Sequence, residues 1–274
     1  MQAITEIASP QLNISDTSNY TLSIRLMPGG FCFIIYQPSR MSVLGLFDYA
    51  TASAEETNGS YQQNPWLQQH YAKINCAVNT NRWTLIPSDF MIDGKEEDLW
   101  HLNFGKGQHG QLQSHAIKAL NSINLYEAEP LSTEFCRTTK AKEVPIQTSL
   151  LHKALILSKR TADKQLCIAQ RGKFMDFALA DNGQMLAANT CLSRNSEELA
   201  FYTLNIFNHF GLNQNNQLVT VSGDITPAGI NLLGQYIRHL QTDTLPTQCK
   251  YPNEMLKMKE QQKYTDLIYL ALCE

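Results

Sequence analysis

The chain has 274 residues, of which 43% are hydrophobic and 17% charged, enough apolar material for one large core or two ordinary ones. Its 22 basic and 25 acidic residues leave a formal net charge of -3, which gives no bulk attraction for phosphate backbones or anionic membranes and argues against a nucleic-acid or membrane partner. Seven cysteines (Cys32, Cys76, Cys136, Cys167, Cys191, Cys249 and Cys273) are scattered and never spaced Cys-x-x-Cys, so they read as reduced thiols rather than a disulfide or zinc framework.

The first residues, MQAITEIASPQL, place no basic segment before an apolar run, and no stretch reaches the length needed to cross a bilayer; a cytoplasmic location is expected. From Leu22 to Phe47 three β-rich runs are broken by Pro28-Gly29-Gly30 and Pro38-Ser39-Arg40, which predicts a meander. A helix is expected between roughly Tyr61 and Cys76. A strand Trp83-Thr84-Leu85-Ile86 follows, then Pro87-Ser88-Asp89, then an amphipathic helix containing Leu99, Trp100 and Leu102.

Gly105-Lys106-Gly107-Gln108-His109-Gly110 spells G-x-G-x-x-G. A dinucleotide turn needs a buried strand before its first glycine and a helix from its third. Here a helix precedes, and the following residues read as extended segments around Asn121-Ser122, so the stretch is expected to be a helix-to-strand loop. Glu127 and Glu129 fall near a ribose-binding distance by spacing alone. His101, His109 and His115 do not share one helix face and have no ligand pattern beside them.

The first half is expected to end near Val144-Pro145, giving domains at 1-143 and 144-274, with a helix around Leu150 to Leu157 beyond the join. Leu166 to Asn189 is a second meander, broken by Arg171-Gly172-Lys173 and Asp181-Asn182-Gly183; Leu22 matches Leu166 and Ile24 matches Ile168. Asn195 with Glu198 caps a helix whose apolar face runs from Leu199 to Phe210 and which Gly211 ends. Leu218-Val219-Thr220-Val221 is a strand and Ser222-Gly223-Asp224 a turn. Thr226-Pro227 then opens a helix carrying Leu232, Leu233, Tyr236, Ile237 and Leu240. The last residues, from Tyr251, predict a helix followed by a strand or tail packed on the second half, with partner binding as a further role.

The order is β-β-β-α-β-α, twice, which implies an α/β protein with mixed sheets and helices packed on them. Such a duplication resembles the ribonuclease-H-like halves of the actin-like ATPase superfamily, which includes sugar kinases, Hsp70 chaperones and actin. The segments TLSIRLMPGGFCFIIY, WTLIPSDF, INLYEAEP, IQTSLLHKAL and LVTVSGDI followed by YIRHL look like an uncharacterised bacterial family of that fold, known only as a domain of unknown function.

The resemblance implies a nucleotide between the halves in active members, with an Asp and a Gly on each hairpin; the carboxylate holds hydrated magnesium. This sequence has Arg25 near the expected first Asp, and the second hairpin offers Gln170, Arg171, Gly172 and Lys173, again without a carboxylate. The adenosine-side motif, a strand and two glycines, keeps one glycine in Ser222-Gly223; Pro87-Ser88 stands at the corresponding place of the first copy. Arg171, Gly172, Lys173, Ser222 and Gly223 are therefore the candidate cofactor-binding residues. Arg171 and Lys173 are expected to be solvated turn charges, and Asp224 to repel phosphate while capping a helix.

Other constellations give less. Ser222 lacks a nucleophile elbow, Cys136 beside Arg137 reads as an ordinary thiol, and Trp66, Trp83 and Trp100 read as core. Asp48, Asp89 and Asp176 are carboxylates whose meeting in one cleft linear sequence cannot show; Asp176, in an alternating strand, is expected to face solvent. The reading is a non-catalytic binding or scaffolding protein with a protein partner, no metal and no cofactor. The alternative is a nucleotide-binding ATPase or phosphotransferase using ATP with magnesium, which an interdomain cleft lined by these residues favours and a side-chain-filled cleft opposes.

Overall fold

The computed structural model describes residues 1–27 and 29–273, without the side chain of Cys273; Pro28 of the first turn lies outside the described residues. The first sheet is built from β1 (Gln2–Ala8), β2 (Thr21–Met27), β3 (Gly30–Gln37) and β4 (Ser42–Ala50). After α1 (Ala54–Gln63), β5 (Lys73–Val78) joins it in parallel beside β2. The expected helix from Tyr61 to Cys76 is thus corrected. Asn64-Pro65 stops α1, and Lys73–Val78 is a strand buried on both faces, which shows no alternation to distinguish it from a buried helix.

An insertion follows: β6 (Trp83–Pro87), α2 (Glu96–Phe104), β7 (Leu112–Ile117) and β8 (Ser122–Glu127) make a separate three-stranded sheet in the order β6-β8-β7, packed around Ile86, Trp100 and Leu125. Trp83 to Ile86 is therefore a strand but not the counterpart of Leu218 to Val221, and α2 is not the repeat's second helix. That place belongs to α3 (Pro130–Thr139), followed by β9 (Lys142–Pro145), the parallel neighbour of β5, within which residues 143 and 144 both lie.

After α4 (Gln147–Thr161), the second sheet comprises β10 (Gln165–Arg171), β11 (Phe174–Asp181), β12 (Gln184–Leu192), β13 (Leu218–Gly223) and β14 (His239–Thr242). Its helices are α5 (Ser196–Phe210) and α6 (Pro227–Gly234), and the chain finishes with α7 (Asn253–Leu256) and α8 (Thr265–Cys273). Asn195 caps α5 by accepting from the Glu198 N–H at 2.8 Å, and Gly211 closes it in the left-handed region (φ 61°), as the sequence predicts. The helix after Thr226-Pro227 ends at Gly234, however. Leu240 pairs with Val219 in the sheet instead of continuing the helical face.

The duplication holds in register. The order β4-β3-β2-β5-β9 in the first sheet repeats as β12-β11-β10-β13-β14 in the second, with β1 added at the outer edge of the first. Leu22 lies opposite Ile35 and Ile74, and Leu166 opposite Leu179 and Val219, so the residues matched by sequence occupy matching places. The two sheets are thus two copies of one unit, the arrangement that the resemblance to duplicated ribonuclease-H-like halves implies.

The two sheets are joined by helices that cross over. α4 follows the first sheet but packs Leu151, Ala154 and Leu155 on Cys167, Ala178 and Ala180 of the second. α8 follows the second sheet but packs Leu267, Ile268 and Leu270 on Cys32, Ile34 and Leu46 of the first, and it also touches α4. The chain's last helix thus covers the first half, correcting the expectation that it would pack on the second. Among the described residues no helix is long and apolar enough to cross a membrane.

Candidate functional site

Where the strand ends of the two sheets face each other, they enclose a cavity of about 330 Å³. Its wall comes from β2 (Arg25, Met27), the loop after β5 (Asn79, Asn81), α4, the β10–β11 hairpin, the end of β13 and the first turns of α8. All five candidate residues, Arg171, Gly172, Lys173, Ser222 and Gly223, line it. Arg25, the residue near the absent first-hairpin Asp, lines it too.

Arg171 is neither a solvated turn residue nor a free cation. Its side chain is 11% exposed, and its guanidinium donates to both carboxylate oxygens of Asp176, to the Asn79 side-chain oxygen and, at 3.1 Å, to the Thr80 carbonyl. Asp176 is only 2% exposed, not solvent-facing, and it also accepts from the Thr190 hydroxyl and, at 3.3 Å, from the Gln147 amide. The reason lies in the cover: Asp176 has the same strand parity as Ala178 and Ala180, the face against which α4 packs. Lys173 does reach solvent, with its ammonium 5.7 Å from the centre of the Phe174 ring.

Arg25 is held likewise, by Asp266 in the first turn of α8 and by the Lys263 carbonyl at 3.5 Å. Burial works against its charge, but Asp266, with Cys32 and Asp224 beyond, outweighs burial and holds the guanidinium protonated more firmly than usual. Asp48, in the same neighbourhood, is pushed above the ordinary carboxylate range by burial, an effect that the Tyr264 hydroxyl, donating at 3.0 Å, partly offsets. A third pair joins Lys153 of α4 to Asp243 at 2.6 Å, both side chains less than a tenth exposed.

The turn after β13 is built by close backbone approach. Gly223 has φ 76°, and a Cβ there would lie 2.2 Å from the Gln170 carbonyl oxygen, so no other residue fits. The Ser222 hydroxyl is engaged with the Ile168 carbonyl at 3.1 Å. Asp224 does not cap a helix: Thr226 does, accepting from the Gly229 N–H at 3.1 Å, which leaves the exposed Asp224 carboxylate on the cavity wall. The counterpart of this turn in the first half follows β5, at Val78-Asn79, rather than at Pro87-Ser88, because β5 is the strand beside β2. Sequence reasoning missed Asp266, Lys153, Asn79 and Tyr269 on the cavity wall; each reaches it from an element whose docking linear spacing does not encode.

The glycine-rich stretch 105–110 is the loop from α2 to β7. Its acids serve structure: Glu127 accepts from the Gly110 N–H at 2.6 Å and pairs with Arg82 at 3.2 Å, and Glu129 caps α3 through the Leu131 and Ser132 N–H groups. Among the described residues no three His, Cys, Asp or Glu side chains converge in a metal-holding group. Cys136 is buried.

A duplicated ribonuclease-H-like sheet with its cleft between the halves defines an actin-like ATPase fold, and solved structures agree. A protein of that fold and unknown function from Bacteroides thetaiotaomicron VPI-5482 superposes with a TM-score of 0.80 at 20% identity, over 96% of this chain and all of that one. The PilM-PilN type IV pilus biogenesis complex matches at 0.63 with 10% identity, over 92% and 96% of the chains. Ethanolamine utilization protein EutJ from Carboxydothermus hydrogenoformans matches at 0.50 with 7% identity, over 98% and 93%. No curated protein sequence matches. Residues 9–240 match the family described as Protein of unknown function (DUF3822), and the chain belongs to that family.

Proposed function

We propose that this is a non-catalytic member of its fold, a pseudoenzyme that acts in the cytoplasm as a binding or scaffolding protein for a protein partner, without a nucleotide or metal cofactor. The observation that carries this reading is the pairing of both cleft arginines inside the protein. A triphosphate with hydrated magnesium needs free cations and a free metal-holding carboxylate at the hairpins. Here Arg25 is closed by Asp266, and Asp176, the carboxylate of the second hairpin that lines the cavity, is closed by Arg171.

A protein partner accords with exposed apolar side chains on the insertion, where Phe90, Ile92 and Leu102 are 68%, 63% and 82% exposed. The fold itself occurs in a protein complex, that of PilM with PilN.

A second reading, nucleotide binding or phosphoryl transfer in the same cleft, is favoured by one observation: all five candidate residues line a real cavity. Phosphate release from ATP with magnesium separates the two. Release equal to the protein-free blank is expected. Steady, magnesium-dependent release that Asp224→Asn abolishes would establish the enzyme instead.

A further inference from the structure

We propose that the cavity between the two halves binds an organic cation, an ammonium group carried on an apolar body small enough for about 330 Å³. The inference rests on the reading that the cleft is not a triphosphate site, and it follows from a charge balance along the wall. Three of the four cations there have a carboxylate in contact: Arg25 has Asp266, Arg171 has Asp176 and Lys153 has Asp243. The fourth, Lys173, extends into solvent over Phe174.

On the acidic side, groups are left over. The Asp224 carboxylate enters no hydrogen bond or ion pair among the described residues, and it lies close enough to Arg25 to act on its charge. Two acceptors on the wall, Asp266 Oδ1 and Gln170 Oε1, are buried and have no hydrogen-bond partner among the described residues; Asp266 uses its other oxygen for Arg25, and Gln170 uses its amide nitrogen for the Gly172 and Ser193 carbonyls. Two donors share that condition. Arg25 Nε is one, and Lys153 Nζ, lying against Asp243 without hydrogen-bond alignment, is the other.

A buried acceptor without a donor is costly, so a ligand that brings N–H groups recovers that loss. An ammonium brings three donors and a positive charge to a wall on which Asp224 and Asp266 both lie within electrostatic reach of Arg25. Phosphate would bring further acceptors and more negative charge. Met27, Ile146, Leu150, Phe174 and Tyr269 supply apolar wall for the body of the ligand, the mixture of apolar lining and few fixed polar groups that small-molecule sites show.

The test is the melting temperature of the full chain titrated separately with 2-phenylethylamine, 2-phenylethanol, 3-phenylpropionate and magnesium–ATP. A saturable rise with the amine is expected, together with a smaller one or none with the alcohol and none with the carboxylate or with ATP. Asp224→Asn, an exposed position that leaves the three ion pairs intact, is expected to weaken the amine about tenfold, whereas Lys173→Ala leaves it unchanged or tighter. A rise as large with the carboxylate, amine binding that falls in Lys173→Ala but not in Asp224→Asn, or no rise with the amine would each overturn the proposal. The ATP arm reports separately: silence there with silence from the amine removes only the organic-cation site, whereas a rise with ATP alone removes this site and the non-nucleotide reading together.

Discussion

The Arg171 guanidinium and the Asp176 carboxylate satisfy each other and two further acceptors and donors in a place nearly closed to water. Breaking such a pair strands a buried charge, so Asp176→Ala is expected to lower unfolding free energy by about 3–5 kcal/mol in urea denaturation, while the apolar double replacement Arg171→Met with Asp176→Leu recovers much of the loss. Equal losses in the single and double variants would show that the pair is not what matters.

Asp48 gives a pH signature. Burial raises its folded-state pKa above the ordinary aspartate value, so its proton is held more tightly folded than unfolded. Its contribution is fully present below the unfolded pKa and is lost as pH rises through the folded one. Asp48→Asn, which keeps an acceptor for Tyr264, is therefore expected to flatten the fall of stability with pH from the ordinary aspartate range upward; melting temperatures that diverge in the opposite sense would refute the assignment. Of these residues the sequence makes Arg171, Asp48 and Asp176 visible as chemistry-bearing. It hides their pairing, because alternation along a strand covered on both faces does not say which parity meets the cleft.

At the scale of elements, caps and turns are legible and the covered strands are not. Asn195, Gly211 and Thr226-Pro227 act through contacts within four residues, so their chemistry sits in the local sequence. Lys73–Val78 fails as a prediction because a parallel strand with helices on both sides has neither helical nor two-residue periodicity. Leu240 fails for the opposite reason: it continues a helical spacing by chance across a helix end. α8 is the element with the widest reach, since Leu267 is fully buried against the first sheet while Asp266 holds Arg25. Leu267→Ala is expected to cost about 2–5 kcal/mol. Hydrogen exchange should then rise in β2 and β3 more than in β11 and β12; uniform loosening of both sheets would mean that α8 does not belong to the first core in the way described.

For the whole molecule, the repeated order and the matching of Leu22 with Leu166 suffice to expose a duplicated fold, since strand order follows from which hydrophobic runs recur. The exchange of α4 and α8 between the sheets is not recoverable that way. Either sheet offers an apolar face to either helix, and the choice is made by tertiary packing. That exchange places Asp266 and Lys153 at the cleft and so decides its electrostatics. The insertion sheet likewise follows no repeat, which is why its strand β6 takes the place of β5 in a linear comparison.

Both arginines of this cleft are paired within the protein, and the proposal that it takes no magnesium and triphosphate rests on that pairing. Calorimetric titration of magnesium–ATP into the full chain at physiological ionic strength tests it most directly. No binding tighter than roughly millimolar is expected, the level at which only about 4 kcal/mol of interaction remains. A micromolar, magnesium-dependent isotherm, lost on chelation of the metal, would contradict it.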